Sequence, residues 1–141
     1  MNMHGILRLE TVEGTGLRFG ARFASGHETT FDSGTDATAA NPVEHLLGAL
    51  AACEAMDVIE ILRKKRLEVT AYEVVLEGER SPDPPRRFLS MTLVHRVTGR
   101  GIPESALEQA VRLSEEKYCS VRWTLDPQMP VANRWEIVEA D

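Results

Sequence analysis

Leu17, Phe19, Ala21 and Phe23 alternate with Arg18, Gly20 and Arg22, and this period of two predicts a strand with one apolar face. Gly5 to Val12 alternates more loosely around Ile6 and reads as a strand before it; Thr29 to Phe31 reads as a short third. Gly14 to Gly16 and Ser25-Gly26-His27 are the turns between them, and the small, polar run Asp32 to Asn41 is a loop. The pattern then changes. From Pro42 to Arg66 a long helix is predicted, with Asn41 as N-cap, Pro42 in the first helical position and Glu44 completing a capping box.

Between Leu46 and Leu62 that helix is apolar nearly all round; only Glu54, Asp57 and Glu60, three apart, interrupt it and predict one narrow polar stripe. A helix with so little polar face is buried on most sides, and a second copy of the chain is the expected source of the wall that one sheet does not provide. Strands follow at Glu68 to Glu79 and Arg87 to Thr98, linked through Ser81 to Pro85. A second helix runs from Pro103 to Tyr118, with Leu107, Ala110, Val111 and Ser114 at helical spacing. Ser120 to Leu125 and Asn133 to Val138 read as closing strands, broken apart by Asp126-Pro127 and Pro130. The order β-β-β-α-β-β-α-β-β predicts a single α+β domain over residues 1–141 with antiparallel sheet, not a doubly wound parallel one.

Composition narrows the function classes. Hydrophobic residues make up 43% and charged residues 27% of the 141, as in a soluble globular chain. The net charge of −6 argues against nucleic acid and anionic membrane as partners, both of which select basic surfaces. The basic run Arg63 to Arg66 falls at a predicted helix C-terminus, where cations complement the dipole. Met1 to Glu10 lacks the apolar core of a signal peptide, and Leu46 to Leu62 is too short and charged for a membrane span, so the expected location is the cytoplasm.

Chemistry rests on few residues. Cys53 lies mid-helix, and Cys119 where the second helix ends. In a reducing cytosol two distant cysteines are either small buried hydrophobes or a transient redox pair, and both alternatives stand at this point. Neither is expected at a helix N-terminus, so the dipole lowers neither thiol pKa and opposes the Cys119 thiolate. A reactive Cys53 therefore needs a cation; Arg22 is the first choice and Arg18 the second, the two sharing a strand face. Glu44 is first a capping residue, with a secondary role in holding an arginine. His4, His27, His45 and His95 have no metal-ligand spacing, and neither a metal nor an organic cofactor is expected.

The segment Asn41-Pro42-Val43-Glu44-His45-Leu46-Leu47-Gly48-Ala49-Leu50-Ala51-Ala52-Cys53 resembles the cysteine-bearing helix of the OsmC/Ohr superfamily. Its continuation to Arg66 and the segment Leu113 to Val121, which carries Cys119, are similar to the OsmC-like branch rather than to Ohr proper. The resemblance implies antiparallel sheets wrapped around long central helices in an intertwined homodimer. It also implies reduction of organic hydroperoxides, with Cys53 peroxidatic, Cys119 resolving, Arg22 activating, Glu44 holding the arginine and an external dithiol as reductant. Where characterised peroxidases carry a glutamate directly after the proline, this chain has Val43, and Glu44 comes one residue later, about 100° further round the helix. That departure keeps a second class open: a non-catalytic stress or small-ligand-binding protein of the same fold.

Overall fold

In the computed structural model, which describes all 141 residues, the chain runs through β1 (Gly5–Leu9), β2 (Phe19–Phe23), β3 (Glu28–Phe31), α1 (Pro42–Lys64), β4 (Glu68–Arg80) and β5 (Phe88–Arg100). It continues through α2 (Glu104–Leu113), a π-helical turn (Ser114–Tyr118), α3 (Ser120–Thr124) and β6 (Val131–Glu139). Backbone contacts gather these elements into two units, Met1–Leu46 and Leu47–Asp141.

The first unit is an antiparallel meander, β1-β2-β3, in the register Leu7↔Ala21↔Thr29. The alternation that predicts β2 also sets its faces. Leu17, Phe19, Ala21 and Phe23 join Leu7 and Phe31 around an apolar cleft of about 700 Å³, while Arg18 and Arg22 belong to the opposite side. β1 is exposed along its whole length, Ile6 and Leu7 included. The predicted capping box forms at the start of α1: Glu44 N–H donates to Asn41 Oδ1 at 2.8 Å, and Asn41 N–H donates to Glu44 Oε1 at 3.1 Å. α1 ends where Arg66 turns left-handed (φ 58°), and Leu67 N–H reaches back to the Leu62 carbonyl.

The second unit is the sheet β4-β5-β6 with helices on one face. β5 is central, and Met91, Leu93, His95, Val97 and Gly99 all point inward. Val58 and Leu62 of α1 meet Val97 and the Leu107, Ala110 and Val111 face of α2; Leu50 and Ala51 meet Met91, Leu93 and Met129. Gly99 is required by close approach, since a Cβ there would lie 2.1 Å from the Glu68 carbonyl oxygen and 2.4 Å from Ile102 Cδ1. The outer face is charged: Arg96 pairs with Glu73 at 2.5 Å and also with Glu136. No helix is long and apolar enough to cross a membrane.

The α+β class stands, with three corrections. β6 is parallel to β5, pairing Met91↔Val131 through Gly99↔Glu139, whereas β4 and β5 are antiparallel. The helical crossover from β5 carries the chain back to the start of that strand, which is what a parallel neighbour needs. Ser120 to Thr124 is a helix, not a strand. Its Val121-x-Trp123-x-Leu125 alternation fits strand periodicity, but the bonds Trp123 N–H to Cys119 O and Leu125 N–H to Val121 O close helical turns, and Cys119 Sγ caps the first by accepting from Arg122 N–H at 3.3 Å. Third, the expected polar stripe on α1 does not form. Glu54 is fully buried beside Leu50 and Val58, Asp57 is half-buried, and only Glu60 reaches solvent, where it pairs with Lys64 at 3.4 Å. The outward line of the helix includes Ala49, Ala52 and Met56, the last 68% exposed.

Candidate functional site

Within the second unit, the fold brings Cys53 and Cys119 together. Cys53 sits half-buried on α1 and packs against the cluster that contains Leu50, Met91, Leu93 and the fully buried Cys119. Both thiols are free, and Cys53 is near enough to be one of the influences that push the Cys119 thiol up. The π-helical turn makes this placement possible. Cys119 N–H bonds to the Ser114 carbonyl at 2.8 Å, one residue wider than an α-helical turn, and Ser114 is itself tied to α1 by its hydroxyl, which donates to Asp57 Oδ2 at 2.8 Å. The extra residue turns Cys119 inward toward Cys53.

The two thiols have different surroundings. Burial pushes the Cys119 thiol up to about 12, against a lowering by the Arg122 backbone N–H; Cys53 and the charge of Glu54 push it further up. The expectation that Cys119 lies only at a helix C-terminus is therefore corrected: it also caps α3. One amide bond does not offset the loss of water, and the outcome, a poor thiolate, is the same.

Beside the pair lies a group of residues that the sequence pattern does not single out. Glu54, next in the chain to Cys53, has no exposed surface. Its Oε1 accepts from Asn133 Nδ2 of β6 at 3.0 Å, while Oε2 is buried without a partner. Asn133 Oδ1 is 3.1 Å from His95 Nε2 on β5, and His95 Nδ1 is 2.7 Å from the Tyr72 hydroxyl on β4. With the Asn133 amide hydrogens committed to Glu54, the chain runs in one sense: Tyr72 O–H donates to His95, His95 Nε2–H donates to Asn133, and Asn133 donates to Glu54. Burial pushes Glu54 up to about 7; Asn133 and Arg122 oppose this, while Glu115 and Asp57 add to it. Burial also holds the imidazolium form of His95 below its usual range and, with the charge of Glu54, raises the Tyr72 hydroxyl. A carboxylate directly after a cysteine in an otherwise apolar helix is the one signal in the sequence that points here.

The other expected site residues belong to the first unit. Arg22 lies 3.8 Å from Glu28, both side chains two-thirds exposed. Arg18 is held by Glu10 at 2.5 Å and by the Thr38 hydroxyl. Thr38 also donates to the buried Asp32; that backbone N–H at 2.9 Å is the main cause that keeps the Asp32 carboxyl below its ordinary range. Glu44 is engaged in the cap described above.

A mixed α+β fold with two three-stranded sheets, a long helix bearing one cysteine and a second cysteine packed beside it defines the class of protein. The family model described as OsmC-like protein matches residues 34–133, and the chain belongs to that family. It is 40% identical over 133 residues to Protein YhfA of Escherichia coli K12, covering 94% of this chain and 98% of that protein. A crystal structure of a hypothetical protein from Aquifex aeolicus superposes with a TM-score of 0.85 at 30% identity, covering 100% of this chain and 99% of the other. The organic hydroperoxide resistance protein OhrB of Bacillus subtilis shares the fold, with a TM-score of 0.58 at 14% identity and 98% of each chain covered.

Proposed function

We propose that the protein reduces organic hydroperoxides, with Cys53 as the attacking thiol and Cys119 as the resolving one. The observation that carries this reading is the packing of the two free thiols against each other, one half-buried and one sealed from water. The Cys53 thiolate attacks the distal peroxide oxygen, the O–O bond breaks, the alkoxide takes a proton and leaves as an alcohol, and Cys53 becomes a sulfenic acid. Cys119 then displaces that oxygen as water and forms a disulfide, which an external dithiol reduces by exchange. The activating cation is assigned to Arg22 ahead of Arg18, because the Arg22 contact to Glu28 is long and exposed whereas Arg18 is committed to Glu10 and Thr38. Glu44 would hold that arginine in addition to its cap. The proposed setting is the cytoplasm.

The test is a thiol count before and after one equivalent of cumene hydroperoxide, which is expected to fall by two per chain. An unchanged count would overturn the reading. The second reading, a ligand-binding protein without peroxidase activity, would then stand on the 700 Å³ apolar cleft lined by Leu7, Leu17, Phe19, Phe23 and Phe31, a volume suited to a small apolar molecule.

The proposal includes a homodimer. Its support is the exposed apolar line Ala49, Ala52 and Met56 on α1, the kind of surface a soluble chain covers. Sedimentation at micromolar concentration is expected to give twice the chain mass; a stable folded monomer would remove the dimer from the proposal.

A further inference from the structure

α1 carries Cys53 and Asp57 four residues apart, a spacing that places both on one flank of the helix, one turn from each other. Across from them, Ser114 opens the π-helical turn and Cys119 closes it, five residues on. In an α-helix a residue five positions on lies about 140° round the axis, so two such residues do not face one neighbour. The wider turn removes that offset. Cys119 N–H bonds to the Ser114 carbonyl at 2.8 Å, and both residues are fully buried. The α1 flank and the turn therefore meet at two points. Cys53 packs against the cluster that holds Cys119, and one helical turn further along α1 the Ser114 hydroxyl donates to Asp57 Oδ2 at 2.8 Å. Without that tether the backbone has an ordinary alternative: an α-helical register, with Cys119 N–H on the Glu115 carbonyl and the thiol turned away from α1.

Resting on the thiol-pair reading above, we infer that Asp57 is a positioning residue for the bridge: by accepting the Ser114 hydroxyl it holds the π-helical turn in the register that faces Cys119 toward Cys53. Asp57 acts through Ser114 and not on the reacting sulfurs. The step it serves is the resolving one. The Cys119 sulfur attacks the sulfenic sulfur of Cys53, the S–S bond forms, the S–O bond breaks, and the hydroxyl leaves with the thiol proton as water. Geometry governs that step, since a disulfide needs the two Cα atoms within about 7 Å and the side chains aimed at each other. A turn fixed before the reaction has already given up the freedom that bridge formation takes away, so the tether favours the bridge over the dithiol. Once the bridge exists, the covalent bond holds the turn by itself. Loss of the tether therefore loosens the dithiol more than the disulfide, and the bridge becomes easier to reduce.

The experiment measures the bridge without peroxide. The full chain is equilibrated in mixtures of reduced and oxidised glutathione, and the bridged fraction is read by mass spectrometry after alkylation of the free thiols. Asp57→Ala and Ser114→Ala are each expected to lower the equilibrium constant for bridge formation by about tenfold, the low end of what one hydrogen bond to a charged group contributes. The double variant is expected to lower it no further, because both substitutions remove the same bond. Asp57→Asn keeps an acceptor oxygen in the same place and is expected to stay within about threefold of wild type. Constants equal to wild type in the alanine variants, losses that multiply in the double variant, or a loss in Asp57→Asn as large as in Asp57→Ala would overturn the inference. Ser114→Ala takes only a hydroxyl from a buried position, so it decides the matter if Asp57→Ala does not fold. A wild type that forms no bridge overturns the inference together with the thiol-pair reading. A wild type that forms the bridge and responds to the substitutions as expected, yet consumes no cumene hydroperoxide, would sink the peroxidase reading and leave this inference standing.

Discussion

Cys53→Ser is expected to reduce hydroperoxide consumption to the level of the buffer control, whereas Cys119→Ser is expected to retain one turnover per chain. The asymmetry follows from the environments. A Cys119 thiol pushed up by burial stays protonated at neutral pH and is a poor attacker of peroxide. The same sulfur, packed beside Cys53, still resolves a sulfenic acid delivered to it. Without that partner, oxidised Cys53 persists as the sulfenic acid or proceeds to the irreversible sulfinic form. The serine variant at 119 is a clean probe because a hydroxyl also accepts the Arg122 N–H that Sγ accepts now, so the cap of α3 survives. Peroxide consumption by ferrous oxidation–xylenol orange, with mass spectrometry of the Cys53 peptide, reads both variants. If Cys119→Ser loses the first turnover and Cys53→Ser keeps it, the roles are reversed; if both behave like wild type, the thiols are bystanders.

Glu54→Gln is expected to change how stability depends on pH. The folded pKa of about 7 lies above the ordinary 4.5, so the folded protein binds this proton more tightly than the unfolded chain. The stabilisation is complete below pH 4.5 and is lost as pH rises through 7. A shift of this size corresponds to on the order of 3 kcal/mol between pH 4 and pH 8. Glutamine does not titrate, so the stability of the variant relative to wild type should rise by about that amount across the same window, measured by urea unfolding at each pH. The neutral, buried His95 works in the other direction in both proteins, being destabilising where the unfolded imidazole is protonated, and it cancels in the comparison. Parallel curves for the two proteins would show that Glu54 carries no such shift.

Much of the architecture is legible in local pattern. α1 and its Asn41–Glu44 box, the β2 alternation and the paired strands β4 and β5 follow from period, capping chemistry and turn residues that act within a few positions of each other. The run after Cys119 is harder to read. Five residues satisfy the strand period and the helical hydrogen bonds equally well, and the thiol cap and the π-helical turn tip the balance. The direction of β6 is decided by where the crossover returns to the sheet, which no window of neighbouring residues contains.

The sequence by itself determined the family, the cysteine pair as the centre of attention and a long helix too apolar to be solvated on either side. These follow from residue type and spacing, and a helix imposes its spacing wherever it packs. Tertiary structure decided the polarity of the site. Tyr72, His95 and Asn133 stand on three different strands and meet only through sheet register, and they converge on a glutamate whose place in the sequence reads as an ordinary solvated stripe. Whether a carboxylate on a helix faces water or a core depends on which side the sheet approaches. That approach buries Glu54 with one oxygen unpaired and raises its pKa, because removing water penalises charge more than one amide hydrogen bond restores.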